Sequence, residues 1–350
     1  MAHELVHAAD DEPGLRRVRA GKTFRYVDAV GRPVRNKITL SRIRALAIPP
    51  AWTNVWISAD PAGHIQATGR DAKLRKQYRY HLRWRQVRTE AKYHRLVAFC
   101  AALPKLRTTV ERDLASPGLT KRKVIATVVS LMERAQLRVG NDEYTRQNGS
   151  YGATTLQDRH AKFHGNTLEL AFRGKSGVQR RITLTDRRLA RIVRSCRDLE
   201  GQRLFQYMDG EAIRHVTSSD VNEYIHEVTG GPFTAKDYRT WAATLGALLL
   251  LSSIDHPGSE RGCKRCITQV LDVVSTKLGH TPAVCRSSYI HPRVLDDFTE
   301  DRFPAELVRQ LHRRAGDVAI EPATIAVDTL RAIEPHVARY LDKQPRTRQA

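Results

Sequence analysis

The sequence predicts an α+β fold: a small β-rich N-terminal domain over residues 1–88, then a larger, mainly helical domain over residues 89–350 carrying one β-hairpin. Three observations lead there. Up to about residue 90, short apolar runs are broken by turns. Phe24–Val30 runs into Gly31-Arg32-Pro33, and Val55–Ser58 is separated from His64–Thr68 by Asp60-Pro61-Ala62-Gly63, a hairpin signal. Beyond residue 90 the period changes. Val124, Val128, Leu131, Met132 and Ala135 recur at three- and four-residue steps, the spacing of a helix with one buried face. Finally, Thr167–Phe172 and Val178–Leu184 flank Arg173-Gly174-Lys175-Ser176-Gly177, a hairpin with a glycine-bracketed turn.

Taken in order, a short helix around Ser41–Leu46 is expected to stop at Pro49-Pro50. Further helices are expected near 91–103, 186–199, 217–228, 236–253 and 262–278. No internal repeat or low-complexity segment interrupts them.

Composition narrows the function. With 41% hydrophobic and 27% charged residues the chain is an ordinary globular sequence, long enough for about two domains. Its charge is unusual: 59 Lys+Arg against 37 Asp+Glu, a net +22. Residues 1–90 hold 18 basic and 8 acidic residues and the remainder 41 and 29, so both domains would face a polyanion, for which nucleic acid is the natural choice. The longest apolar run, Ala242–Ile254, is too short to span ~30 Å of hydrocarbon. Glu4, Asp10, Asp11 and Glu12 give the N-terminus no signal-peptide layout, and five scattered cysteines form no disulfide framework. A cytoplasmic, nucleoid-associated protein with no membrane partner is expected.

Three motifs are decoys. His3-Glu4-Leu5-Val6-His7 matches the zinc-protease pattern but sits at the extreme N-terminus without a strong third ligand. Gly174-Lys175-Ser176 resembles the end of a P-loop, yet Glu169 stands where the first glycine is needed. Cys263-Lys264-Arg265-Cys266 is a single C-x-x-C inside a predicted helix. With no Asp-x-Asp in the chain either, no metal, cofactor or ATP is expected.

Breaking a phosphodiester without a metal needs a nucleophile, cations for the transition state and an acid for the leaving oxygen. Arg138 follows a strong helix, Lys175 occupies the hairpin tip, and Lys236-Asp237-Tyr238-Arg239 opens a very apolar helix. Gly279-His280-Thr281-Pro282 precedes Tyr289 by nine residues. Each alone reads as a cap, a solvated charge or a helix stop. Their order, Arg…Lys…Lys-x-x-Arg…Gly-His-Thr…Tyr, resembles the catalytic set of type IB DNA topoisomerases of the compact poxvirus-like bacterial kind, over roughly residues 14–292.

The N-terminal segments Ile48-Pro49-Pro50-Ala51-Trp52 and Gln66 to His81 resemble that family's DNA-facing part. The resemblance implies Tyr289 as nucleophile, Arg138, Arg239 and His280 as transition-state stabilisers, and Lys175 as general acid. It also implies a monomer acting as a clamp around double-stranded DNA. DNA contacts are expected from Arg70, Lys73, Arg75, Lys76, Gln77, Tyr78, Arg79, Tyr80 and Lys236. Leu74 departs from the pattern, where a small residue is more typical, and residues 293–350 extend past the tyrosine. Tyrosine recombinases share much of this layout, and a non-enzymatic basic DNA-binding protein shares the charge. Lys236 in place of the usual recombinase histidine, and the β-rich first domain, favour the topoisomerase.

Overall fold

The computed structural model describes residues 5–343 apart from 22, 317, 323 and 324; His3 and Glu4 of the first decoy lie outside the described residues. The chain divides into two compact units, residues 1–93 and 94–350.

The first unit is a five-stranded antiparallel sheet with one helix. Its elements are β1 (Leu15–Ala20), β2 (Thr23–Val27), α1 (Lys37–Ala45), β3 (Thr53–Ile57), β4 (Ile65–Arg70) and β5 (Lys76–Tyr80), in strand order β2-β1-β3-β4-β5. Helix α1 begins earlier than its apolar residues suggest, because the Asn36 side chain caps it by accepting from the Thr39 amide at 3.0 Å. Ile43 buries its side chain with Leu15, Trp52, Val55, Ile57 and Ala67 to make the core of this unit.

From α2 (Leu82–Ala115), inside which the division between the units falls, the chain is mainly helical. It continues through α3 (Lys121–Ala135), α4 (Asp142–Asn148), the three-stranded sheet β6 (Ala161–His164), β7 (Thr167–Arg173) and β8 (Gln179–Thr185), and α5 (Arg187–Arg197). A two-stranded ribbon, β9 (Gln206–Asp209) and β10 (Ala212–His215), precedes α6 (Ser218–Thr229), α7 (Ala235–Ser252), α8 (Glu260–Leu278) and α9 (Pro282–Ser288). Last come α10 (Pro292–Thr299), α11 (Ala305–Ala315) and α12 (Val327–Asp342).

Two differences from the sequence reading have physical causes. The helix expected over 91–103 runs on through Pro104 to Ala115. An interior proline costs a helix about 3 kcal/mol, but Leu103, Leu106 and Val110 around it are all buried, and their packing outweighs that cost. The segment after residue 292, for which no element was expected, forms α10 to α12, of which α11 and α12 each bury a strip of apolar side chains, Leu307 and Leu311 and then Leu330, Ile333, Val337 and Tyr340.

Helix α7 is the centre of the second unit. Every residue from Asp237 to Ser252 is buried, which is why its sequence is apolar all round. No helix among the described residues is long and apolar enough to cross a membrane. All five cysteines carry free thiols; Cys263 lies 3.2 Å from His256 Nε2, and no three metal-ligating side chains converge among the described residues.

An ion network joins the late helix α12 to this centre. Glu334, 8% exposed, accepts two bonds of 2.8 Å from Arg107 and one of 3.1 Å from Trp241 Nε1 on α7. Glu133 on α3 takes Arg107 and Arg331 on its two oxygens. Burial alone would lower the Arg107 pKa; bonding to Glu334 and the charge of Glu133 raise it instead. Removing one partner of a buried pair strands the other. Glu334→Ala is therefore expected to cost about 3 kcal/mol in urea unfolding, whereas Glu334→Gln, which can still accept from Trp241, costs less.

Candidate active site

Two helix ends and one loop build the site. Helix α3 stops at Gln136, a left-handed cap with φ of 52°, and releases the chain into the loop carrying Arg138. That loop is pinned along its backbone: the Ala153 amide donates to the Arg138 carbonyl at 2.8 Å, and the Thr154 amide to that of Val139 at 2.7 Å. The approach is close enough that a methyl group on Gly152 would fall 2.6 Å from the Gly140 nitrogen, so only glycine fits there. Helix α8 likewise ends in a left-handed residue, Gly279, with φ of 65°, and hands His280 to the site.

Arg239, on α7 and only 3% exposed, ties these ends together. It donates to the carbonyl of Gln136 at the end of α3 and, at 2.6 Å, to that of Leu278 at the end of α8. Arg138 reaches the same place from the other side, donating to the Gly279 carbonyl at 2.8 Å and lying 3.1 Å from His280 Nδ1. A third arginine, Arg180 on β8, donates to the Thr276 carbonyl at 3.2 Å. The last turn of α8 thus presents three carbonyls to three arginines. Among the described residues, none of the three pairs with a carboxylate.

Tyr289 follows α9 and is anchored by its backbone. Its amide donates to Cys285 at 3.0 Å, and its carbonyl accepts from the Thr244 hydroxyl at 3.3 Å, five residues beyond Arg239 on α7. Its ring centre lies 4.3 Å from that of His280 and 5.7 Å from the Arg239 guanidinium carbon. Lys175 stands in the one-turn tip between β7 and β8, where Ser176 takes a φ of 62°, with its Nζ 5.7 Å from the ring centre of Tyr144. Arg138, Lys175, Lys236, Arg239 and Tyr289 all line one cleft of about 330 Å³, with Tyr144 also in its wall. His280 stands behind the tyrosine ring rather than in the wall.

The electrostatics follow from this geometry. Burial, then the neighbouring Arg138, lower the Arg239 pKa to about 9, which leaves it charged at neutral pH. Burial and the charges of Arg239, Arg138, Lys175 and Arg180 push His280 down to about 3, so its imidazole is neutral and can donate through one nitrogen only. The cleft offers positive charge and a neutral donor beside a phenol.

The other candidates lie in the N-terminal unit, on the β4–β5 hairpin. Tyr78 and Tyr80 stack with centroids 5.8 Å apart and rings within 9° of parallel. Arg70 donates to the Leu74 carbonyl at 2.9 Å, and Lys73 is exposed at the tip. Some of the hairpin's charge is already engaged. Arg75 pairs with Asp71 at 2.7 Å, Gln77 bonds the same carboxylate at 2.9 Å, and Lys76 pairs with Asp10 at 2.7 Å. Arg79 turns away to lie 5.3 Å from the Trp52 ring centre and donates to the Ala47 carbonyl. Leu74, 71% exposed, takes the left-handed conformation with φ of 59°, which explains why a small residue would suit that turn better.

Comparison with known proteins is consistent with both units. Residues 23–71 match the family model of the bacterial DNA topoisomerase IB N-terminal domain, and residues 81–310 that of the eukaryotic DNA topoisomerase I catalytic core. The chain is 37% identical over 298 residues to DNA topoisomerase 1B of Acanthamoeba polyphaga mimivirus, covering 83% of this chain and 88% of that one. The chain belongs to the type IB DNA topoisomerase family. Membership sets aside the recombinase and the passive DNA-binding protein. The match to the catalytic core ends at residue 310, within α11. Sequence reasoning passed over Tyr144, which lines the cleft, and Arg180, which stands beside it on the end of α8. The signal for Arg180 was available, five residues beyond Lys175 in the same hairpin, but it resembles any strand arginine.

Because His280 titrates from an ordinary 6.5 down to about 3, the unfolded chain binds more protons than the folded one between those values. This contribution to stability is complete above pH 6.5 and is lost as pH falls toward 3. The expected outcome is a His280 ring that NMR finds neutral at pH 5. A His280 ring charged at that pH would contradict the burial described.

Proposed function

We propose that the chain relaxes supercoiled double-stranded DNA by cutting and resealing one strand through a covalent tyrosine intermediate. The mimivirus relative is by its name a DNA topoisomerase, and duplex DNA is the partner to which this chain's net +22 is suited. The observation that carries the reading is the set of arginines held by main-chain carbonyls around the Tyr289 cleft. Carbonyls orient a guanidinium while cancelling only part of its charge, so a phosphodiester arriving there meets a positive field.

In this mechanism the Tyr289 phenol loses its proton to water as its oxygen attacks phosphorus, the bond from phosphorus to the 5′ oxygen breaks, and Lys175 delivers a proton to that oxygen. Arg138 and Arg239 fork onto the non-bridging oxygens as charge builds on them. Neutral His280 donates one further hydrogen bond. Lys236, exposed at the cleft wall, contacts a flanking phosphate. The 3′-phosphotyrosine keeps the energy of the phosphodiester, so the freed 5′-hydroxyl can reverse the step without ATP or metal, after the downstream duplex has rotated. The N-terminal unit serves as the second half of a clamp, with Tyr78 and Tyr80 toward base edges and Arg70 and Lys73 toward phosphates.

A covalent protein–DNA adduct trapped by denaturant from supercoiled plasmid, in excess chelator and without nucleotide, is the expected result; Tyr289→Phe abolishes it. Absence of the adduct in the parent, or its persistence in Tyr289→Phe, would refute the mechanism.

The hairpin makes a separate prediction. Lys73→Ala removes one phosphate contact and lowers the salt slope of log K for duplex binding by about 0.9. Arg79→Ala, whose guanidinium is spent on Trp52 and Ala47, leaves that slope unchanged and lowers the melting temperature instead.

A further inference from the structure

Arg180 is the third arginine on the last turn of α8, and its position differs from that of the other two. It does not line the cleft that holds Tyr289; it stands across from Phe172 in the β7–β8 ladder, at the root of the turn carrying Lys175. Its stem packs on that turn, because a methyl group on Gly174 would fall 3.2 Å from Arg180 Cγ. Its head reaches the helix, with Nη1 3.2 Å from the Thr276 carbonyl and 3.1 Å from where a methyl group on Gly279 would sit. One side chain therefore touches the residue before Lys175 and the residue before His280.

We infer that Arg180 is a positioning residue for strand cleavage: it brackets the turn of residues 174–177 to the end of α8 and so sets where Lys175 stands relative to His280 and the scissile phosphate. The inference rests on the proposed role of Lys175 as general acid. The tip's own bonds are local. Its backbone is closed by the Gly174 amide on the Val178 carbonyl at 2.8 Å and the Gly177 amide on the Gly174 carbonyl at 3.1 Å, and Ser176 and Gly177 are both left-handed, with φ of 62° and 79°. Lys175 is exposed, and its charge rests 5.7 Å from the Tyr144 ring centre rather than on a carboxylate. A long side chain delivering a proton needs its backbone held, since an error of about 1 Å in a reacting group costs on the order of a hundredfold in rate. Arginine suits the bracket because its charge is favourable at the carbonyl end of a helix, where a neutral side chain would gain nothing.

The test uses the full-length protein and single-turnover cleavage of two duplexes, one ordinary and one with sulfur in place of the 5′ bridging oxygen. A thiolate leaves without a proton, so sulfur bypasses the acid. Lys175→Ala is expected to be slow on the ordinary strand and largely restored on the sulfur strand. Arg180→Ala is expected to follow it in weaker form, slowed about ten- to a hundredfold on the ordinary strand and restored to within a few-fold by sulfur. Arg180→Met keeps the packing stem and behaves like Arg180→Ala, so the comparison stands even if the alanine variant does not fold; Arg180→Lys recovers part of the rate. Adding Arg180→Ala to Lys175→Ala slows cleavage no further, as expected of two groups acting through one step.

Equal slowing of the Arg180 variants on both strands, or no slowing of Arg180→Met, overturns the inference while leaving Lys175 as the acid. Equal slowing of Lys175→Ala on both strands overturns the acid and, with it, the role given to Arg180.

Discussion

The site depends on how three like charges are held together without a counter-charge. Arg138, Arg180 and Arg239 converge on Gly279, Thr276 and Leu278, the carbonyls that close α8, of which that of Thr276 also accepts from the Gly279 amide. The last carbonyls of a helix have no partner within it and together carry roughly half a negative charge. They take the place a carboxylate would take in an ordinary ion pair, orienting each guanidinium while neutralising only part of it. Two full charges about 6 Å apart repel by about 3 kcal/mol at an effective dielectric near 20, a cost the fold has to absorb. Burial first, and then this repulsion, depress the pKa values of Arg239 and His280.

Packing distant from the cleft absorbs that cost. Helix α7 is enclosed on all sides, and this lets it hold Arg239 inside the protein with its donors turned to two helix ends. Enclosure requires α12, whose Glu334 meets both Arg107 and Trp241, the latter two residues from Arg239. Two buried carboxylates of this unit, Glu133 and Glu334, are engaged away from the cleft, in the Arg107–Glu334–Glu133–Arg331 network.

The sequence made part of this legible. Arg138, Lys175, Lys236, Arg239 and Tyr289 could be named because their order along the chain resembles a known set, and the structure brings all five to one cleft, with the His280 ring against that of Tyr289. Their acceptors could not be named, since a main-chain carbonyl leaves no mark in residue identity and its position follows only from where α3 and α8 stop. Arg180 stayed hidden for the same reason: its partner is backbone. The β4–β5 hairpin shows another limit of counting. Two of its basic residues, Arg75 and Lys76, are paired with Asp71 and Asp10, and Arg79 lies against Trp52, partners that the run of basic residues does not reveal. Pro104 misled as well, since the packing that carries α2 through it is tertiary.

Thr244 gives Tyr289 a mechanical footing. Its hydroxyl accepts from the His291 amide at 3.1 Å and lies 3.3 Å from the Tyr289 carbonyl, its single proton shared with the Thr240 carbonyl at 2.9 Å, so the peptide after the tyrosine is held against α7. Under the proposed mechanism a rotating duplex hangs from Tyr289 while the strand is open, and its torque enters the protein through that residue. The load path runs from the tyrosine backbone into α9 at Cys285 and, through Thr244, into the most deeply buried helix of the unit, which also carries Arg239. Tension on the DNA would then move nucleophile and arginine as one body, and the geometry needed to reseal the strand would survive the strain that rotation imposes.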